Sequence, residues 1–477
     1  MKLRQTRRMN THDALTRLAQ FRQAVYQHFD LRADTLMDLV DALSSAQGVR
    51  SVVELSLQPC FRRGYSALFK GVAAYAWTER TLAHLAAPVL PAPTARPFWL
   101  LGVDVTSQPR LYARTLQDRS LVYQPTVIAG QKPITIGHQY SVVALLPGRP
   151  RCASPVWVVP LASQRVASHA DKELVGAAQL ATLLTDPALP FHDQLCVEVA
   201  DSSYSKPAYL HANRQQPQLV SVVRLRGCRT VYHAPPPTAG RRTAGHPRWY
   251  GAPMALGTPT TWAPPDVTAT TSYTSARGHT YRVELQAWYD MRIRGQQKSA
   301  RIPMHEHPFT LVRCVLYGPD DQPVFRQTLW LAVLGPRRRE LTLEAIWQAY
   351  RDRFDLEHFF RFGKQRLLLT ATQTPVDTRE EAWWQLSCLA YLQLWAAAPV
   401  AQHCSRPWER YLPVQHAESL TPSQVQRDFG RIIRQFGTPA LPPKPRGNAP
   451  GRPRGARLPP RPRYAVVRKG AKTSEPP

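Results

Sequence analysis

The chain is short of acid. Its 477 residues carry 33 Asp and Glu against 61 Lys and Arg, a formal net charge of +28. An imbalance of that size excludes a polycation as the main partner and points to a polyanion, either a nucleic acid or an anionic membrane surface. Long apolar runs are also missing. No stretch approaches the roughly 18 uninterrupted apolar residues of a membrane span, so no membrane insertion is expected. The basic start Met1-Lys-Leu-Arg-Gln-Thr-Arg-Arg is not followed by the apolar core of a signal peptide. Cysteine is sparse and dispersed: Cys60, Cys152, Cys196, Cys228, Cys314, Cys388 and Cys404, with no Cys-x-x-Cys pair. That argues against a disulfide framework or a zinc ribbon and for a reducing, cytosolic setting.

What is present is enough apolar residue, 43%, to fold most of the chain, over a length that suits two or three domains. Residues 11–85 have helical periodicity, with Leu15, Leu18, Phe21, Val25 and Phe29 at 3-4 spacing and Leu36, Leu39, Val40 and Leu43 repeating it. We read 1–92 as a helical, DNA-binding domain; a helical cap on the next domain fits equally well. A Pro-rich linker follows at 87–97. Phe98-Trp-Leu-Leu-Gly-Val-Asp-Val-Thr then reads as a buried central strand that Asp104 interrupts. An unpaired carboxylate there would cost several kcal/mol, on the order of a desolvated charge, so a cation or metal is expected beside it; the alternative is an Asp capping the strand end. Further strands are read at 120–124 and 139–146, and between them Lys132 and His138 could touch a phosphate or be ordinary loop groups. A helix is expected from Asp171 to about Leu184.

Gln194-Leu-Cys-Val-Glu-Val-Ala-Asp-Ser-Ser-Tyr is a second pivotal strand. It ends at Asp201, where ligands of α/β sheets bind. Glu198, mid-strand, is a rival ligand that is better read as paired. Residues 93–230 thus form the first part of an α/β core, a mixed sheet flanked by helices. Strands dominate again from 279 to 334, giving an antiparallel β insertion at 231–335. There Trp288, Tyr289 and Trp330 interleave with arginines, which suits either nucleic-acid stacking or an ordinary β core. His305-Glu-His307 is read as a plain loop rather than a metal pair.

Residues 341–368 contain no Pro, only one Gly, and good helix formers, and are read as one helix. With Tyr350 at 0° and about 100° per residue, Arg353, Glu357 and Lys364 fall within about 60° of it. A stripe containing Ala349, Leu356, Phe360 and Leu367 lies alongside as a core-facing seam, while Asp352 and Asp355 project elsewhere. A second apolar helix is expected at 380–400, closing the core's second part at 336–400. C-terminal helices follow at 401–438, and a basic Pro/Arg tail, read as disordered, at 439–477.

Three carboxylates therefore stand out: Asp104, Asp201 and Glu357. Two divalent metals need such a set. Tyr350, two residues, Arg353, three residues, Glu357, six residues, Lys364 resembles the Tyr-(2)-Arg-(3)-Glu-(6)-Lys signature of a group of bacterial insertion-sequence DDE transposases. The resemblance covers about residues 95–400 and includes Gly-Val-Asp104 and Val-Ala-Asp201. It implies an RNase H-like catalytic fold, with Asp104, Asp201 and Glu357 holding two Mg²⁺ ions (or Mn²⁺). It further implies that Tyr350, Arg353 and Lys364 grip DNA phosphates. The expected partners are double-stranded DNA, both terminal inverted repeats and target, and a second protomer in a dimeric or larger synaptic complex. The expected location is the bacterial cytoplasm, at the nucleoid. An RNase H-like nuclease or resolvase, or a catalytically inactive DNA-binding relative, are the alternatives.

Overall fold

The computed structural model describes residues 11–91, 96–124, 133–149, 154–236, 248–275, 277–297, 300–409, 419–445 and most of 451–468. Lys132 lies outside the described residues. Five helices come first: α1 (Thr11–His28), α2 (Ala33–Ser45), α3 (Val52–Leu55), α4 (Tyr65–Ala74) and α5 (Thr81–Ala86). The strands β1 (Trp99–Pro109), β2 (Ser120–Tyr123), β3 (Ile134–Leu145) and β4 (Val159–Val166) follow, then α6 (Lys172–Leu184), β5 (Cys196–Ala200), α7 (Pro207–Arg214) and β6 (Leu219–Leu225). Next are a small ribbon of β7 (Thr230–Tyr232) and β8 (Pro253–Ala255), the strands β9 (Val267–Thr274) and β10 (Thr280–Met291), and a second ribbon of β11 (Gln296–Gln297) and β12 (Ala300–Arg301). The chain continues through β13 (Phe309–Tyr317), β14 (Leu329–Leu334), α8 (Leu343–Asp352), α9 (Asp355–Arg366), α10 (Asp377–Ala397) and α11 (Pro422–Phe436).

The large sheet runs β2-β3-β1-β5-β6-β14-β13-β10-β9, with β4 also on β3. β1 is antiparallel to β3 and parallel to β5, and β6 is parallel to β5. This mixed order, with helices on both faces, is consistent with an RNase H-like fold. Strands β9, β10, β13 and β14, which fall within the expected antiparallel β insertion, pair antiparallel with one another. They continue the same sheet, β14 pairing antiparallel with β6. The physical reason is the free edge of β6, whose backbone groups need partners.

Alternation along β1 assigns its two faces. Val103 faces α6, where Gly176 allows close approach: a Cβ there would lie 2.9 Å from Val103 Cγ1. Gly102, Asp104 and Thr106 share the opposite face, which α9 covers. A Cβ on Gly102 would lie 2.8 Å from Leu356 Cδ1 and 3.1 Å from Leu146 Cδ1. The missing side chain is thus what lets the fully buried Leu356 seat α9 on the strand.

The N-terminal helices share one continuous core with α10 and α11. A buried ion pair, Arg22–Asp41 at 2.6 Å, ties α1 to α2, and Arg22 also donates to Gln393 of α10 at 3.0 Å. The α11 helix opens on a capping box between Thr421 and Gln424. The tail departs from the expected disorder over part of its length. Leu441 N–H donates to Asp34 at 2.8 Å, Tyr464 N–H to the Arg114 carbonyl at 2.9 Å, and Val467 N–H to the Arg119 carbonyl at 2.7 Å. An isolated parallel bridge between Val467 and Ser120 brings the tail against the start of β2.

Gly102→Val is expected to lower stability by about 1–3 kcal/mol, the usual cost of overpacking, read by urea unfolding. Leu356→Ala in the same chain should cost less than the sum of the two single changes. An unaltered midpoint for Gly102→Val would contradict the close approach.

Candidate active site

The first carboxylate owes its place to β1, the second to register. Gly102 pairs with Val199 across the parallel β1–β5 ladder. Two residues further along each strand stand Asp104 and Asp201, on the same face and on strands about 4.8 Å apart. Asp201 turns the chain, its carboxylate accepting the Ser203 N–H at 2.7 Å. One oxygen of Asp104 accepts the Val105 N–H at 2.8 Å and the other faces Arg353 Nη1 at 3.4 Å. Burial raises the Asp104 pKa to about 6; Arg353 and Lys172 oppose the rise and the negative charge of Asp201 adds to it. Asp104 is therefore a carboxylate whose charge is poorly compensated.

The third carboxylate arrives on α9. The expected single helix over 341–368 is in fact two, α8 and α9, joined by a tight turn at Arg353 and Phe354. Bonds of the i→i+3 type run from Leu356 N–H to the Arg353 carbonyl at 3.1 Å and from Glu357 N–H to the Phe354 carbonyl at 3.1 Å, which tightens the winding there. Salt bridges anchor both sides of the turn. Arg96 holds Asp352 at 2.9 Å and Arg149 holds Asp355. Both acids thus face partners of their own, away from Asp104. Burial lifts the Asp355 pKa to about 6 even with Arg149 beside it.

The polar stripe of the motif lands largely on β1. Arg353 is 8% exposed, reaches Asp104, and lies 3.9 Å from Glu357, while its Nε is buried with no acceptor among the described residues. Lys364 Nζ donates to Thr106 Oγ1 at 2.7 Å, and burial lowers its pKa. Tyr350 is only 3% exposed, its ring 5.8 Å from the Arg353 guanidinium carbon. Glu357 is exposed. The structure thus brings Asp104 and Asp201 together and leaves Glu357 beyond Arg353. Among the described residues no three His, Cys, Asp or Glu side chains converge closely enough to ligate an ion. The donor chemistry still fits a hard divalent cation: all oxygens, two of them adjacent carboxylates, one poorly neutralised.

Three neighbours escaped the sequence reading. Thr106 lies two residues beyond Asp104 and takes the Lys364 ammonium. Arg224 of β6 follows Val223, the partner of Ala200, so it flanks Asp201, and its charge is felt at Tyr350. Lys172 opens α6 within electrostatic reach of Asp104. The only signal for Arg224 was a cation inside an otherwise apolar strand.

Other candidates resolve differently. Glu198 is fully buried and accepts from Tyr209 Oη at 2.8 Å, with its pKa pushed by burial to about 7. Alternation puts it on the opposite face of the sheet from Asp104. His138 is buried against Glu380 at 2.7 Å, not placed for a phosphate. Trp288 and Trp330 are 2% and 1% exposed and pack against each other, so neither can stack an unpaired base. His307 meets His211 at 2.9 Å across the fold, and His305 stacks on Trp249.

Residues 24–291, more than half the chain, match the family model described as DDE superfamily endonuclease. The matched span contains Asp104 and Asp201 and ends before α8 and α9. No curated protein matches the chain.

The raised Asp104 pKa carries a sign. A proton is held more tightly in the folded state, so this contribution is present below about pH 4 and lost as pH rises through about 6. Asp104→Asn in EDTA is expected to be more stable than the wild type at pH 8 by roughly 1–3 kcal/mol, with the gap closing toward pH 4. A gap of the same size at both pH values in urea unfolding would contradict the buried charge.

Proposed function

The chain belongs to the DDE superfamily endonuclease family, a phosphodiester-cleaving class, and from that premise we propose that it is a DNA transposase of the insertion-sequence group with the Tyr-(2)-Arg-(3)-Glu-(6)-Lys signature. One observation carries the finer reading. The signature's cations are not spent on a solvated helix face: Arg353 and Lys364 reach Asp104 and Thr106, on the same face of β1. A salt-bridged surface helix has no reason to deliver both to the strand of the first carboxylate.

In this reading Asp104, Asp201 and Glu357 hold two Mg²⁺ ions, with Mn²⁺ as a substitute. Bound there, the metals would supply the positive charge that activates a water or 3′-hydroxyl and offsets charge on the leaving 3′-oxygen. The side chains do the rest. Arg353 offsets part of the Asp104 charge and lies 3.9 Å from Glu357 while DNA is absent; its Nε–H, without an acceptor among the described residues, and its cationic charge suit it to a phosphate oxygen. Moving to that phosphate releases both carboxylates. Tyr350, 3% exposed and with its ring 5.8 Å from the Arg353 guanidinium carbon, positions Arg353 in this reading and adds its hydroxyl to the phosphate contact the resemblance implies. Lys364, held by Thr106, meets a phosphate further along the strand, and Arg224 adds positive charge beside Asp201.

The DNA partners are terminal inverted repeats and a target duplex. Two ends must be handled together, so the working assembly is a homodimer or larger, acting in the bacterial cytoplasm at the nucleoid. Among the described residues no helix is long and apolar enough to cross a membrane.

Glu357→Gln is expected to abolish cleavage of a labelled transposon end, a loss of at least about 10²-fold, while end binding is retained. Undiminished cleavage would sink the assignment. Joining of the cleaved 3′ end to a second duplex separates transposase from simple nuclease. Lys364→Ala should reduce the slope of log affinity against log salt by about 1, one phosphate contact; an unchanged slope would remove Lys364 from the DNA interface.

A further inference from the structure

Beside the catalytic stripe of α9 lies a cleft of about 520 Å³ that the mechanism above leaves unused. Arg149, His358, Arg361 and Arg366 line it, Phe362 and Tyr391 form an apolar floor, and the first turn of α11 closes it at Ser423. Among the described residues no Asp or Glu contributes to its lining. Arg149 is paired with Asp355. Arg361 and Arg366 are exposed, and neither makes an ion pair among the described residues. Two cations facing one cleft repel each other without a compensating charge, and an apolar floor strengthens that field.

The position relative to Glu357 is set by helix geometry. Taking Glu357 as 0° and about 100° per residue, Lys364 falls near −20°, Arg361 near 40°, Gln365 near 80° and His358 near 100°. Arg361 is also just over one helical turn, about 6 Å, beyond Glu357. A strand crossing Glu357 would therefore pass from the catalytic stripe into the cleft without leaving α9. The α11 helix turns its N-terminal end toward the same space, and the partial positive charge there adds to the arginines.

We propose that this cleft is a second phosphodiester-binding site, which takes the backbone of the DNA strand running past Glu357. The proposal rests on the reading of the chain as a DNA-cutting enzyme. Its ligand chemistry is a diester oxyanion, recognised by arginine forks and blind to base sequence. The site would fix how the strand leaves the scissile position.

The test uses the full chain and a labelled duplex carrying the cleavage position, with affinity measured by fluorescence anisotropy over a salt series. Arg361→Ala with Arg366→Ala should reduce the slope of log affinity against log salt by about 2, since each released phosphate contact contributes about 0.9. Arg361→Lys with Arg366→Lys, which keeps the charge, should restore most of the slope. A wild-type slope in the double alanine variant would overturn the proposal. So would loss of inorganic pyrophosphate binding in that variant with the DNA slope intact, which would make the cleft a small-anion site. Failure of the underlying reading looks different: the wild type itself would bind duplex DNA with no salt dependence.

Discussion

The structure depends on how closely α9 can lie on β1. Gly102 leaves room for Leu356, and that contact sets the height of the helix over the strand. At that height Arg353 reaches Asp104 and Lys364 reaches Thr106. A larger residue at 102 would lift the whole motif away from the carboxylates. The same strand is approached from its other face by α6 at Gly176, so β1 is held between two helices at glycine contacts. Asp104, Asp201 and Thr106, with the Arg353 and Lys364 that meet them, lie on one side of this clamp.

The cost of the arrangement is electrostatic. Two carboxylates on neighbouring parallel strands repel, and burial makes Asp104 harder still to ionise. Arg353 offsets part of this from a distance longer than a good hydrogen bond, with one buried N–H lacking an acceptor among the described residues. The molecule holds the charges of this candidate site in a state that a cation and a phosphate would both improve. Such poor local satisfaction is what functional sites show when the rest of a fold is well packed. Asp352 makes the contrast nearby: Arg96 holds it at 2.9 Å. Asp355 is buried like Asp104 but is paired with Arg149 and turned away from the site.

Much of the core was legible in the sequence. Asp104 and Asp201 stood at positions where apolar strands stop being apolar; the helix at 171–184 begins at its capping Asp171, and the one at 380–400 is marked by the density of its apolar residues. What was not legible depended on distant contacts. The break at Arg353 and Phe354 has no Pro or Gly to announce it, because it arises beside acids drawn to Arg96 and Arg149. The lateral pairing of Asp104 with Asp201 needs the β1–β5 register, which no local pattern encodes. The interleaved tryptophans and arginines of the β strands read equally well as a stacking surface or a core, and burial settles Trp288 and Trp330 as core. The tail's return to β2 hangs on Tyr464 and Val467, too few residues to rise above a Pro/Arg background.

The most direct test of the central claim is where a metal sits. Fe²⁺ in place of Mg²⁺, with ascorbate and peroxide, cuts a polypeptide close to the bound ion. In a complex with transposon-end DNA, the account predicts three cut regions, around Asp104, Asp201 and Glu357, with the last weakened when DNA is omitted. Cuts confined to other parts of the chain, or absent near Glu357 with DNA bound, would contradict it.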